Sequence, residues 1–150
     1  PLRTEEDRVA VTQGVLDGTI DCIATDHAPH TDWEKDCDFE LARFGMTGIE
    51  TALGLVLTQL VDTGVMSYAK MVELMAVNPR AILRLEPVKL EAGSVADLTV
   101  FEPAIEWTVT IEEFESKSKN SGFIGAELKG RATDVYVGGY ATMEDGRVLE

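Results

Sequence analysis

The sequence is poor in residues that hold metals or staple loops. It carries two cysteines and two histidines in 150 residues. Cys22 and Cys37 form neither a CxxC pair nor a disulfide framework, which excludes a cysteine metal site and a stapled secreted scaffold. Basic residues are also scarce: 13 Lys and Arg stand against 27 Asp and Glu, a net charge of −14. Phosphate backbones select basic surfaces, so no nucleic-acid partner is expected. No apolar run approaches the roughly 18 residues of a membrane span, so no membrane association is expected. The opening stretch holds Arg3, Glu5, Glu6, Asp7 and Arg8, unlike the apolar core of a secretory leader. With so few cysteines, a reducing cytoplasm is the expected compartment.

Both histidines fall in one stretch, Ile20-Asp21-Cys22-Ile23-Ala24-Thr25-Asp26-His27-Ala28-Pro29-His30. A short apolar run ends in a carboxylate, and polar residues follow at once. The pattern predicts a buried strand over 20–25 that delivers Asp26 to a rim, with His27 and His30 on the loop beyond. Cys22 reads as a small core residue of that strand. Asp26 could bind a borderline metal such as zinc, act as a general base, or do both. His30, past the stiffening Pro29, suits an anionic substrate group. A helix cap and a surface residue are the plainer alternatives. Zinc needs three or four protein ligands, so this cluster is not a complete metal site by itself.

The chain around this stretch changes character once. Thr4 and the acids after it predict a helix over 5–17 ended by Gly18, with only a partial capping box because Asp7 is shorter than Glu. Residues 27–46 predict a long functional loop, with a turn of helix near Phe39 to Arg43 and a solvated acidic face. Ile49, Ala52, Leu53, Val56, Leu57 and Leu60 recur at helical spacing, with Thr47 as cap and Gly64 as stop. Phe44-Gly45-Met46-Thr47-Gly48 leads into this helix and could present backbone N–H groups to an anion. Ser67 starts another helix, which Asn78-Pro79 is expected to stop and restart. Beyond Glu86-Pro87 the period becomes two, over 95–101 and 105–111, followed by a polar loop from Glu113 to Gly122. Gly138-Gly139 and Asp145-Gly146 predict hairpin turns. The organisation is therefore α/β over 1–86 and all-β over 87–150.

Thr25-Asp26-His27-Ala28-Pro29-His30 resembles the TDHAPH signature of bacterial dihydroorotases, of the cyclic amidohydrolase superfamily. Pro1-Leu2-Arg3 resembles the end of the family's NPPLR segment, and Asp17 to Asp21 its approach to the last barrel strand. Phe44 to Ala52 resembles the FGxxGxETA run, Asn78-Pro79 the NPA-like element, and Gly93 to Val100 the GxxADL element. The motifs span the chain in family order. Arg43 stands where family members often have Pro.

The resemblance implies an α/β fold: the C-terminal part of a TIM (β/α)8 barrel over 1–86, followed by strands of a small β-sandwich over 87–150. It implies a zinc-dependent dihydroorotase that interconverts N-carbamoyl-L-aspartate and dihydroorotate in pyrimidine synthesis. Asp26 would be both a metal ligand and the catalytic proton carrier; His30 would bind the substrate carboxylate; Phe44 and Gly45 would contact substrate through backbone. The remaining zinc ligands would precede Pro1, so the chain reads as an incomplete C-terminal part, inactive alone, whose first partner is the missing N-terminal part. A homodimer or association with aspartate transcarbamoylase fits the family. The alternatives are a hydantoinase or allantoinase type of cyclic amidohydrolase, and a non-catalytic dihydroorotase-like partner of aspartate transcarbamoylase.

Overall fold

The computed structural model describes residues 3–149. Pro1 and Leu2, which open the segment compared with NPPLR, lie outside the described residues.

Helix α1 (Glu5–Asp17) begins at Thr4, whose hydroxyl accepts from the Asp7 N–H at 3.1 Å. The Asp7 carboxylate accepts in turn from the Thr4 N–H at 3.0 Å. The capping box is therefore complete rather than partial: Asp is long enough to close it. Gly18 ends the helix in the left-handed region.

The expected strand over 20–25 does not form a ladder among the described residues. The segment is extended, but its side chains are half-buried or exposed, Cys22 included. A strand needs a neighbouring extended segment to take its backbone groups. Here the Ile23 N–H donates to the Leu74 carbonyl at 3.0 Å, and the Asp21 carbonyl accepts from the Asn78 side chain at 2.8 Å. One isolated parallel bridge, His27 to Met46, is the only sheet-like pairing of this stretch among the described residues.

The long loop carries a four-residue helix, α2 (Asp32–Lys35), rather than a turn of helix at Phe39 to Arg43, where the chain makes only a tight turn on the Asp38 carbonyl. The capping box between Thr31 and Glu34 explains the placement. Trp33, within α2, is exposed.

Helix α3 (Ile49–Val56) continues through a π-helical turn, Leu57–Val61. Gly48, not Thr47, holds the cap position. Helix α4 (Tyr68–Val72), capped by Ser67, also widens into a π turn, Glu73–Val77, and runs on into α5 (Asn78–Ile82). The expected stop at Asn78-Pro79 is absent because Asn78 keeps helical angles and its N–H reaches back to Glu73. Pro79 has no N–H to place, and the switch of hydrogen-bond spacing absorbs that gap.

The β part is one antiparallel sheet in the order β1 (Leu98–Thr108), β2 (Glu127–Val137), β3 (Tyr140–Glu144), β4 (Arg147–Val148). The two strands expected over 95–111 are a single strand. Its register slips between Glu102 and Glu106, which face Arg131 and Lys129. Pro103 lies in that slip, and a bulge accommodates its missing donor without breaking the strand. Val137 pairs with Tyr140 across Gly138-Gly139, and Glu144 with Arg147 across Asp145-Gly146, as the turn residues predict.

Two apolar clusters hold these elements. Val15, Val56, Leu57, Met66, Met71 and Leu74 form one, with Ile20 and Ile23 against it. Val109, Phe114 and Leu128 form the other, joined by Leu55 and Trp107. Helix α3 thus touches both, with Val56 in the first, next to Leu57 of the π turn, and Leu55 in the second. That double burial fixes where its N-terminus points, and with it the loop end at Phe44 to Gly48.

Candidate functional site

Asp26 and His30 lie on one of two extended segments that run side by side, and Phe44 and Gly45 on the other. The His27–Met46 bridge is parallel, and the Ala28 N–H donates to the Met46 carbonyl at 2.9 Å. One step back on each segment, Asp26 and Gly45 lie at the same level. Asp26 is exposed and sits in the left-handed region at φ 46°. Asp tolerates that region better than most residues, at some cost in strain. Its carboxylate makes no hydrogen bond or ion pair among the described residues, which leaves both oxygens free for a ligand.

His30 and Phe44 are in contact. The ring Nε2 lies 2.8 Å from the Phe44 carbonyl oxygen. That oxygen can only accept, so Nε2 carries the proton. The other nitrogen, Nδ1, faces the Glu34 carboxylate at 3.6 Å, an ion pair when the ring is charged. Hydrogen bonds from the Thr31 hydroxyl and N–H hold the Glu34 carboxyl below its ordinary range, with His30 and Arg43 adding to the effect. An incoming carboxylate would therefore reach His30 from the Nδ1 side, in place of Glu34. An open cleft of about 420 Å³ adjoins that side, lined by Pro29, His30, Asp32, Glu34, Lys117 and Ser118 among others.

His27 has a different task. Its Nδ1 accepts from the Gly48 N–H at 3.1 Å and lies 3.4 Å from the Ile49 N–H. The imidazole caps α3, the role expected of Thr47. Thr47 is fully buried, and its hydroxyl and N–H both donate to the Asn120 carbonyl, at 3.1 and 2.9 Å.

The stretch expected to be a plain polar loop is thus part of the site's frame. Asn120 holds Thr47, and its side chain lies 3.4 Å from the Gly45 carbonyl. The Ser116 N–H and hydroxyl donate to Glu50 in the first turn of α3. Burial raises the Glu50 carboxyl, but the Ser116 bonds outweigh it, and the net position is below the ordinary range. Phe114, the one apolar side chain in the stretch from Glu113 to Gly122, is the sequence signal that this loop packs inward, and both it and Ser118 are buried.

Among the described residues no three His, Cys, Asp or Glu side chains converge on a point that could hold a metal ion. Asp26 fits zinc as one oxygen donor of the several it needs.

No protein-family model matches the chain. It is 49% identical over 136 residues to a dihydroorotase of Chlorobaculum tepidum, covering 91% of this chain and 31% of that protein. It is 47% identical over 145 residues to a dihydroorotase of Pelotomaculum thermopropionicum, covering 97% of this chain and 34% of that protein.

Its sequence relatives are dihydroorotases.

The chain spans about a third of the length of the curated dihydroorotases it matches. Among solved structures it superposes on the L-hydantoinase (dihydropyrimidinase) from Arthrobacter aurescens with a TM-score of 0.91 at 32% identity. That superposition covers all of this chain and 34% of the hydantoinase. The fold expected from the dihydroorotase resemblance, an α/β segment of an amidohydrolase followed by β strands, is the one observed.

Proposed function

We propose that this chain forms the C-terminal part of a zinc-dependent dihydroorotase, which interconverts N-carbamoyl-L-aspartate and (S)-dihydroorotate in cytoplasmic pyrimidine biosynthesis. The observation that carries the reading is the juxtaposition of a free Asp26 carboxylate, His30 and the Phe44-Gly45 backbone at one end of two parallel segments, in a chain 47–50% identical to dihydroorotases. Zinc, when bound, would polarise the ring amide and supply the nucleophile. Asp26 provides one ligand oxygen and takes up or returns the proton. His30 and the Phe44 and Gly45 N–H groups bind the substrate carboxylate.

The other ligands would come from outside this chain, in a protein of the relatives' length. The exposed apolar residues Ile82, Leu83 and Leu85, at and just past the end of α5, support a working state in which further structure covers them. The 150 residues alone should bind zinc weakly, self-associate and show no turnover. Turnover by the homogeneous 150-residue chain would overturn that part. For the full-length protein carrying this segment, the test is zinc content together with ring closure of carbamoyl aspartate at mildly acidic pH. A zinc-loaded protein that closes no ring would sink the reading.

The superposition on a hydantoinase favours one second reading, a hydantoin-cleaving amidohydrolase. Hydantoins lack the carboxylate that His30 suits, so comparing turnover of dihydroorotate and hydantoin separates the two.

A further inference from the structure

We propose that Lys35 is a positioning residue that turns the Phe44-Gly45 backbone into an anion-facing pair of N–H donors. The inference rests on the dihydroorotase reading above and adds a residue to it.

Four consecutive carbonyl oxygens, from Arg43 to Met46, all have donors. The Lys35 Nζ lies 2.5 Å from both the Arg43 and the Gly45 oxygens. The His30 Nε2 takes the Phe44 oxygen, and the Ala28 N–H takes that of Met46. By contrast, the N–H groups of Phe44 and Gly45 have no acceptor among the described residues. The Phe44 N–H shares its peptide plane with the Arg43 oxygen that Lys35 holds, and the Gly45 N–H with the Phe44 oxygen that His30 holds. The second Lys35 bond fixes the next plane at the Gly45 oxygen. Both amide dipoles are thus held with their positive ends unspent. Such a pair suits a carboxylate and repels none of its charge.

The arrangement needs an anchor. Gly45 sits at φ +121°, where a Cβ would lie 2.6 Å from the Ala28 oxygen. The backbone there has no intrinsic preference for that geometry over its alternatives. Lys35 grips both ends of the Arg43 to Gly45 segment with one ammonium, and it comes from α2, whose position is set by the capping box of Thr31 and Glu34. Asn120 reaches the Gly45 oxygen only at 3.4 Å and leaves Arg43 untouched. Charge-assisted bonds are about twice as strong as neutral ones, so Lys35 dominates this set. Lys35 itself does not line the cleft beside His30, so it acts through the peptide rather than on the ligand.

The experiment compares wild type, Lys35→Met and Lys35→Arg in the full-length protein carrying this segment. The assay is dihydroorotate hydrolysis, with dihydroorotate and dihydrouracil, the same ring without the carboxylate, as competing binders. Lys35→Met should raise KM for dihydroorotate about tenfold or more while kcat changes less, and should cost dihydrouracil binding little. Lys35→Arg should recover part of the loss, since a guanidinium can bridge two carbonyls. Unchanged KM in a folded Lys35→Met protein overturns the inference, as does an equal loss for both rings, which marks a mere structural staple. If Lys35→Met does not fold, the same ratio measured in Lys35→Arg and Lys35→Gln decides. A wild-type protein inactive on dihydroorotate defeats the functional reading instead. The positioning of the peptide is then judged from the crystal structure of full-length Lys35→Met, in which an unmoved Arg43 to Gly45 backbone overturns it and a displaced one supports it.

Discussion

The His27 imidazole stands at the N-terminus of α3, with its Nδ1 3.1 Å from the Gly48 N–H. A histidine next to the candidate metal ligand thereby fixes the helix on which the Phe44-Gly45 loop ends. Nδ1 must stay unprotonated to accept, so the ring proton resides on Nε2. Replacing His27 by Ala removes the cap and should lower stability by about 1 kcal/mol. His27→Asn should retain part of the cap. Urea unfolding of the three proteins checks this, and equal midpoints for His27→Ala and wild type would rule the cap out.

Gly45→Ala should be more damaging than its size suggests. The new methyl meets the Ala28 carbonyl at 2.6 Å, against backbone that cannot retreat without breaking the bridge at His27 and Met46. Left-handed strain of about 1–3 kcal/mol adds to the clash. The expected result is a lowered melting temperature together with weaker dihydroorotate binding in the full-length protein. A neutral effect on both would show that the close approach is not needed.

Gly130 makes a second such notch, inside β2. At φ +84° a Cβ would overlap Leu57 Cδ1, in the π turn that follows α3. Gly130→Ala should therefore destabilise the junction of helix and sheet by more than about 1 kcal/mol. Leu57→Ala made in the same background should relieve part of that cost. A purely additive double-mutant cycle would contradict the contact.

The tie between Glu50 and Ser116 is pH-sensitive. The folded carboxyl lies below the ordinary glutamate value of 4.5, so the tie contributes stability above that ordinary value. The contribution is lost as pH falls through the folded value. Glu50→Gln should flatten the acid limb of the stability curve, leaving the region above pH ~6 less stable but level. Parallel acid limbs for Glu50→Gln and wild type would remove Glu50 from the account.

Asp26→Ala in the full-length protein should abolish turnover while the melting temperature moves little, because the side chain is exposed and unbonded. An active Asp26→Ala protein would end the role assigned to this residue.

Much of this architecture is local and was readable without coordinates. Thr4 and Gly18 bound α1, the apolar spacing from Ile49 to Leu60 marks α3, and Gly138-Gly139 closes the hairpin, because caps, periodicity and turn residues act over a few neighbours. Asp26, His30, Phe44 and Gly45 were nominated by the motifs that resemble those of dihydroorotases. Tertiary structure decided what those rules do not reach. The 20–25 segment has strand-like residues but no neighbouring strand among those described, and a ladder takes two partners. β2 begins at Glu127, through a polar stretch with Gly130, because β1 pairs with it and Leu57 fills the notch. Thr47 gave up the cap to His27 because the Asn120 carbonyl, 73 residues away, claimed its hydroxyl. Lys35 is a surface-type residue by sequence, and only the folded loop brings the Arg43 and Gly45 carbonyls to its ammonium. Hydrogen bonds between distant segments are chosen by packing, and no local pattern encodes them.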